Sequence, residues 1–446
     1  MKVGGISRLY VGRYEVSGKG QGRQGQLGMD LRAPKGTQDI LPPESERWRR
    51  VLDLAFRLFH VYGYREIILP VMEYTEVFAR GLGEGTDIVR KEMFTFLDKG
   101  GRSLTLRPEA TAGVVRAFVQ HRLDKAGMPV KLYYCGPMFR HERPQKGRYR
   151  QFHQLGVELM GSSHPSADAE VILLCSEFLR SLGIASRLVL NSVGDASCRP
   201  AYEEALRAYL RDRSEELCPD CRRRMEVNTL RVLDCKERQC AGVIAGAPGL
   251  GDYLCQACRH HLQAVEEFLG AAGVEFSREE RLVRGLDYYT RTVFEFQDPV
   301  LGGQNALAAG GRYDRLVEEM GGESVPAVGF SVGLERVMNA GPSFPPGGRE
   351  GVYLVAMGEE ARKQAFLMAR DLRAEGLRCD LDHLDRSLKA QMKEADRQGY
   401  RFCIILGEEE LRGGYLTLRD LEAGTQERLE AEGGRRVEAV LRRLEA

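Results

Sequence analysis

The stretch FRHERPQKGRYRQFHQLGVE, from Phe139 to Glu158, decides how this 446-residue chain reads. It starts where an apolar run, 132–138, gives way to a polar loop with Pro144, Gly147 and several basic residues, and it resumes at Tyr149 as an alternating pattern. Side chains two apart on a strand share a face, so Phe152, Gln154, Gly156 and Glu158 point one way and His153, Leu155 and Val157 the other. One face thus offers an aromatic plate, an amide, a gap and a carboxylate, beside Arg140, Arg148 and Arg150. A flat base can stack on Phe152, arginines can clamp phosphates bidentately, and Glu158 can hold a cation or an N–H donor. On its own the stretch reads as a surface hairpin with exposed arginines and one buried Phe. Two further segments turn the reading toward a ligand site.

The first is LTLRPEAT (104–111), read as a strand ending at Arg107 with Pro108 opening a helix, where proline is tolerated. Glu109 and Thr111 at such a junction can bind an ammonium group, although Glu109 alone is equally a partner for the helix dipole. The second is LVRGLDYYT (282–290), followed by a strand at 291–296. Arg284, Asp287, Tyr288 and Tyr289 beside a glycine make a poor core segment. The sets GGRYD (310–314) and GFSVGLER (329–336) add glycines that let backbone approach a ligand, and place Arg336 at a helix start, where it can meet phosphates. Neither is a Walker A or Rossmann fingerprint.

Working outward, the length predicts about three domains. Hydrophobic residues are 43% and charged residues 29%, an ordinary globular balance that excludes wholesale disorder or a collagen-like repeat. No apolar run approaches the ~20 residues a membrane span needs. With 65 basic and 64 acidic residues the net charge is +1, so any nucleic-acid contact must come from local patches such as 145–150, Arg222-Arg223-Arg224 or the C-terminal region. Eleven cysteines, an odd number in a long chain, point to reduced cytoplasmic thiols rather than a disulfide scaffold.

Residues 1–30 are expected to form a flexible tail: positions 1–28 hold eight glycines, five Lys/Arg and one acid, Glu15. Met29 is a candidate natural start, and an organelle transit peptide is the other reading of the tail. The catalytic core is expected over 31–195 and 279–341, split by an insertion at 196–278. Helical periodicity predicts a helix over 48–63 and a strand over 66–71 with Pro70 at an edge or interface. A Pro/Gly-rich linker at 341–348 leads into 350–446, where strands at 352–356, 377–381 and 402–406 alternate with helices at 361–375 and 387–398.

These motifs together resemble the bacterial type of histidyl-tRNA synthetase, a class II aminoacyl-tRNA synthetase family. The likeness runs over about 31–430. It takes in APKGTQDILP (33–42), LRPEAT (106–111), the 139–158 hairpin, RGLDYYTRTVFEF (284–296), GGRYD and GFSVGLERV (329–337). The resemblance implies a mixed α+β and α/β fold: an antiparallel-sheet catalytic domain with a helical insertion and a C-terminal α/β anticodon-binding domain. It implies a homodimer that uses ATP, Mg2+, histidine and histidine tRNA. It further implies that Glu109, Ala110, Thr111 and Gln154 surround the α-amino group of histidine, while Glu158 and Tyr289 read the imidazole nitrogens beside Tyr288. Phe152 would stack on adenine, Arg140 would meet the α-phosphate, and Arg148 and Arg336 the outer phosphates. Arg284 would lie between the histidine carboxylate and the α-phosphate. Two small-for-small departures stand out: Ala110 where the family commonly has glycine, and Ala309 before Gly310-Gly311 where three glycines are common. The alternative is the synthetase-like regulatory subunit of ATP phosphoribosyltransferase, which typically lacks the C-terminal domain and several catalytic positions.

Two CxxC pairs, Cys218/Cys221 and Cys255/Cys258, lie in the insertion with Cys235 and Cys240 between them. Such pairs can build one tetrahedral zinc site, but the separation exceeds the usual ~15–20 residues, and reduced thiols remain the other reading.

Overall fold

The alternation of 151–158 is realised as the strand Gln151–Met160, paired antiparallel with Val130–Phe139 so that Phe152 sits opposite Met138 and Glu158 opposite Leu132. The computed structural model describes residues 32–445 apart from 84–85, 146, 300–305, 345–347 and 432–435. The predicted tail and part of the predicted linker therefore lie outside the described residues. The chain divides into two units at Pro342/Ser343.

In the first unit the hairpin seeds an eight-stranded sheet. Its order is Arg65–Glu66, Val130–Phe139, Gln151–Met160, Ala327–Gly333, Ala306–Arg312, Thr290–Gln297, Arg187–Ser192, Ser277–Arg278. The six central strands run antiparallel to their neighbours, while both two-residue outer strands pair in parallel. Short outer strands leave little edge for another chain to extend. The helix Glu44–Val61 buries Trp48, Val51, Ala55 and Phe59 against one sheet face, a 3–4 spacing that forms a single stripe. It begins four residues before the predicted start, with Glu44 and Glu46 in the first turn, where they complement the dipole.

The predicted strand at 66–71 is cut short. Only Arg65–Glu66 joins the large sheet, and the chain then crosses over through Pro70, which has no N–H for a ladder. Met72–Tyr74 enters a separate three-stranded sheet with Ser103–Leu106 and Phe94–Leu97. The predicted helix start at Pro108 also moves. The helix is Thr111–Gln120, and 107–110 is a loop held by Arg107, whose guanidinium donates to the carbonyls of Pro137 (2.9 Å) and Leu69 (3.0 Å).

Between Arg187–Ser192 and Ser277–Arg278 the chain is helical: Arg199–Arg211, Pro219–Val227, Ala241–Ala245 and Gln256–Ala271, linked by 3-10 turns. Beneath the sheet, Arg312 is fully buried. It pairs with Asp168 and Asp314 and donates to Ser162 O at 2.9 Å, while Asp168 also meets His261 Nε2 at 3.3 Å. One buried ion cluster thereby ties a central strand to the helices Pro165–Ser181 and Gln256–Ala271.

The second unit has a five-stranded sheet. Val352–Ala356 is flanked in parallel by Cys379–Leu381 and Phe402–Leu406, and then come the antiparallel strands Tyr415–Asp420 and Gln426–Glu430. The βαβαβ half matches the sequence reading. Its central strands are apolar throughout because the sheet buries both faces there. The terminal hairpin and the helix Arg436–Glu445 were not anticipated.

Candidate active site

Three segments far apart in sequence meet on one open cleft of about 1120 Å³, counted with its mouth. The strand Gln151–Met160 supplies Phe152, Gln154 and Glu158, as the alternation required. The loop before Thr111–Gln120 supplies Glu109 and Thr111, and the segment 284–289 supplies Arg284, Tyr288 and Tyr289. Arg140, Arg148 and Arg336 line the same cleft. Ala110 does not. It is 1% exposed and packs in the apolar core, so of the expected histidine contacts it alone is absent from the wall.

At the inner end Glu158 is buried, with Thr111 Oγ1 donating to Oε1 at 2.7 Å and the Tyr313 hydroxyl donating to Oε2. Burial, with the nearby Glu109 charge adding to it, pushes its carboxyl up to about 8 against the lowering effect of those hydroxyls. Space for this carboxylate comes from the neighbouring strand: Gly329 sits opposite Glu158, and a Cβ there would fall 1.8 Å from Oε2. Gly156 is the gap seen in the sequence. Tyr134 lays its hydroxyl over it, 2.4 Å from where a Cβ would stand.

Glu109 stands where both readings of the sequence placed it. Its carboxylate accepts the amides of Thr111 (2.7 Å) and Ala112 (2.9 Å) at the helix start, and it also lines the cleft. Burial raises its carboxyl, and those amides work against the rise. Beside it Gln154 Oε1 is buried without a hydrogen-bond partner, an acceptor left open toward a donor such as an ammonium group. Tyr288 and Tyr289 pack with their rings tilted by 52° at 4.6 Å between centres, and Tyr288 meets Tyr313 edge-on at 5.5 Å.

At the mouth the cations gather. Arg140 donates through Nε to Pro108 O at 2.9 Å, and its guanidinium lies 5.3 Å above the Phe152 ring. Arg148 pairs with Glu142 at 2.9 Å, and Arg336 donates to Ala306 O at 2.6 Å. Burial, then the like charges of Arg148 and Arg140, lower the proton affinity of Arg336. Such crowding is relieved by a multiply charged anion. Arg284 pairs with Glu295; burial weakens the guanidinium's hold on its proton, but Glu295 together with the Tyr289 and Asp234 charges more than offsets this and raises it overall, while its Nε is buried and unpartnered. Sequence reasoning missed Glu142, Glu295 and Tyr313. Glu295 carried the clearest signal, an acid between Phe294 and Phe296 in its strand.

The two CxxC pairs do not converge on one site, contrary to the single cluster considered from the sequence. Cys218 and Cys221 meet Cys235 and Cys240, whereas Cys255 and Cys258 meet Asp195 and Cys198. The turns Thr229–Asp234 and Arg238–Cys240 fold the chain back onto Cys218 long before residue 255, which is why the long separation misled.

An antiparallel sheet whose strand hairpin carries arginines over an acidic, aromatic pocket defines a class II aminoacyl-tRNA synthetase catalytic unit. Comparison with known proteins agrees and narrows the class. The Histidyl-tRNA synthetase family profile matches residues 36–337, and that of an anticodon binding domain matches 351–434. The chain is 49% identical over 403 residues to a histidine–tRNA ligase of Halothermothrix orenii, covering 89% of this chain and 96% of the relative. It is 52% identical over 399 residues to that of Moorella thermoacetica, covering 88% and 94%. The apo S. aureus histidyl-tRNA synthetase structure superposes with a TM-score of 0.78 at 36% identity, covering 93% of this chain and all of that one. A Bacillus halodurans structure described as an ATP phosphoribosyltransferase regulatory subunit/histidyl-tRNA synthetase gives 0.62 at 25%, covering 85% of this chain and 99% of that one. The chain belongs to the histidyl-tRNA synthetase family.

Proposed function

We propose that this chain is a histidine–tRNA ligase: it joins histidine to ATP, forming histidyl-adenylate and pyrophosphate, and then transfers histidine to the 3′ end of histidine tRNA. The observation that carries the reading is a single cleft with an open amide acceptor and a buried carboxylate at one end and three crowded guanidiniums at the other. Glu109, Thr111 and Gln154 take the α-amino group; Glu158 and Tyr289 take the ring nitrogens, with Tyr288 closing the pocket. Imidazole alone pairs both of these groups, so other amino acids leave buried polar atoms unsatisfied.

Adenine rests on Phe152, beside the Arg140 guanidinium that lies 5.3 Å from the ring centre. Arg148 and Arg336 draw the β- and γ-phosphates, and Arg140 the α-phosphate. Attack of one anion on another is opposed by repulsion, and Arg284 and Arg140, fixed beforehand, stabilise the charge that builds on the α-phosphate. No protein base is needed, since the histidine carboxylate is already ionised at neutral pH. ATP enters with Mg2+, which screens phosphate charge when bound; the Glu142 carboxylate on the cleft wall fits a hard cation.

The regulatory-subunit reading is weaker on two counts: the chain keeps a folded C-terminal unit, and its expected catalytic arginines stand in one cleft. A homodimer is supported by exposed apolar side chains around the small sheet, among them Ile68 (87% exposed), Met72, Tyr74 and Leu97 (69% exposed). Among the described residues no helix is long and apolar enough to cross a membrane, and the free cysteines favour a cytoplasmic setting. ATP–pyrophosphate exchange across the amino acids tests the assignment. Exchange is expected only with histidine, and Arg284→Ala is expected to lose roughly 10³-fold with its fold intact. Unchanged exchange in that variant refutes the role given to Arg284.

A further inference from the structure

The insertion holds two side-chain clusters that histidine activation does not use. We propose that each is a structural zinc site: a four-thiolate site built by Cys218, Cys221, Cys235 and Cys240, and a three-thiolate, one-carboxylate site built by Cys198, Cys255, Cys258 and Asp195. In each group one ligand atom per residue lies within 4.8 Å of all the others. Ligands at ~2.3 Å on a tetrahedral zinc stand about 3.8 Å apart. Cys218 Sγ and Cys235 Sγ are 3.8 Å apart, and so are Cys198 Sγ and Cys258 Sγ. A disulfide would hold its sulphurs at ~2.05 Å, and all eleven cysteines are free.

The two sites share one construction. Cys218 precedes the helix Pro219–Val227 and accepts the amide of Cys221 at 3.4 Å; Cys255 precedes Gln256–Ala271 and accepts that of Cys258 at 3.5 Å. Further amides point at sulphur: Cys218 to Cys240 (3.2 Å), Glu237 to Cys235 (3.4 Å) and Asp195 to Cys198 (3.3 Å). Amides aimed at sulphur stabilise thiolate, the form that binds metal. In the second site Asp195 Oδ1 turns toward Cys198 (3.7 Å) and Cys255 (3.9 Å), while Oδ2 takes Arg291 at 3.3 Å. One oxygen facing the ligand set and the other held by a cation is the outer support that metal-bound carboxylates use. Soft sulphur in a tetrahedral set selects zinc over magnesium or calcium.

Both sites brace the pocket from behind. Near the first, Asn228 donates to Asp287 at 2.7 Å, Arg231 reaches Arg284 O at 3.3 Å, and Arg224 pairs with Asp87. Beside the second, Arg199 donates to Tyr289 O at 2.6 Å. Each metal thus fixes helices whose side chains hold the backbone of 284–289.

The test is elemental analysis of the full chain purified without chelator, followed by mercurial titration with a zinc indicator. Two zinc ions per folded chain are expected, released in two separable events. Cys235→Ser and Cys255→Ser are each expected to keep one, with the KM for histidine rising more than that for ATP. Fewer than two zinc ions on folded wild-type protein, or a single variant that loses both or neither, overturns the assignment. The wild-type measurement decides even where a variant fails to fold, and metal content is read independently of any ligase activity.

Discussion

Replacing Glu158 by Gln separates what this residue does for the fold from what it does for the reaction. The carboxyl is pushed up from its ordinary 4.5 to about 8 by burial, so the folded protein keeps a proton that the unfolded chain releases. Stability then falls as pH rises from 4.5 to 8, because the native state binds more protons across that window. At ~1.4 kcal/mol per pH unit, the cost building up between pH 5.5 and 8 is about 3 kcal/mol. Glutamine carries no such proton, yet its carbonyl accepts from Tyr313 and its amide donates to Thr111. The first unit offers roughly 300 described residues, and at ~2.1 cal/mol/K each, 3 kcal/mol corresponds to roughly 5 °C. The melting temperature of Glu158→Gln relative to wild type should therefore climb by about that much between pH 5.5 and 8. The substitution should also lower kcat/KM for histidine roughly 10–100-fold, because glutamine cannot give up a proton to become the anion that pairs most strongly with an imidazole N–H. Scanning calorimetry at matched ionic strength reads the first quantity and pyrophosphate exchange the second. An offset that stays constant across the two pH values would show that the carboxyl does not titrate there and refute the reasoning.

Gly329→Ala puts a methyl 1.8 Å from Glu158 Oε2 and is expected to cut histidine-dependent exchange at least ~100-fold by displacing that carboxylate; normal exchange would show that the strands yield freely. Asp168→Ala leaves the buried Arg312 with Asp314 as its one remaining carboxylate and takes the acceptor from His261, and should cost about 3 kcal/mol, read as a lower melting temperature of the first unit. With a net charge of only +1, tRNA must be held by local basic patches. Filter binding should therefore weaken steeply between ~50 and ~200 mM salt, and a flat response would count against phosphate contacts.

Much of this architecture was legible in the sequence wherever the chemistry of the side chains alternates plainly along a strand. Period-two alternation placed Phe152, Gln154 and Glu158 on a common wall, and it holds in the strand Gln151–Met160. It failed where polar composition hid a strand: in Tyr415–Asp420 only Leu416 and Leu418 are fully buried, and its edge partner Gln426–Glu430 is nearly all exposed. The helix expected at Pro108 starts at Thr111 because Arg107 anchors the intervening loop to carbonyls that no local pattern reveals. Ala110 was drawn into the pocket by its neighbours in the motif, but its side chain turns into the core. Glu142, Glu295 and Tyr313 matter through what lies opposite them in space, and cross-strand pairing is not written in the spacing of any one segment. The cysteines show the same limit: their CxxC spacing raised the question of a shared metal site, whereas their grouping depended on turns that fold back within the insertion.

The pairing of Arg284 with Glu295 has an effect on selectivity. A bare guanidinium in a half-open cleft is an indiscriminate trap for chloride, inorganic phosphate or any stray carboxylate. With a built-in counterion already at one edge, Arg284 gains little from a small free anion. It answers chiefly to a guest anchored elsewhere, whose own negative group is delivered at high local concentration. At this one position, the counterion makes the commonest small anions in a cell poor competitors.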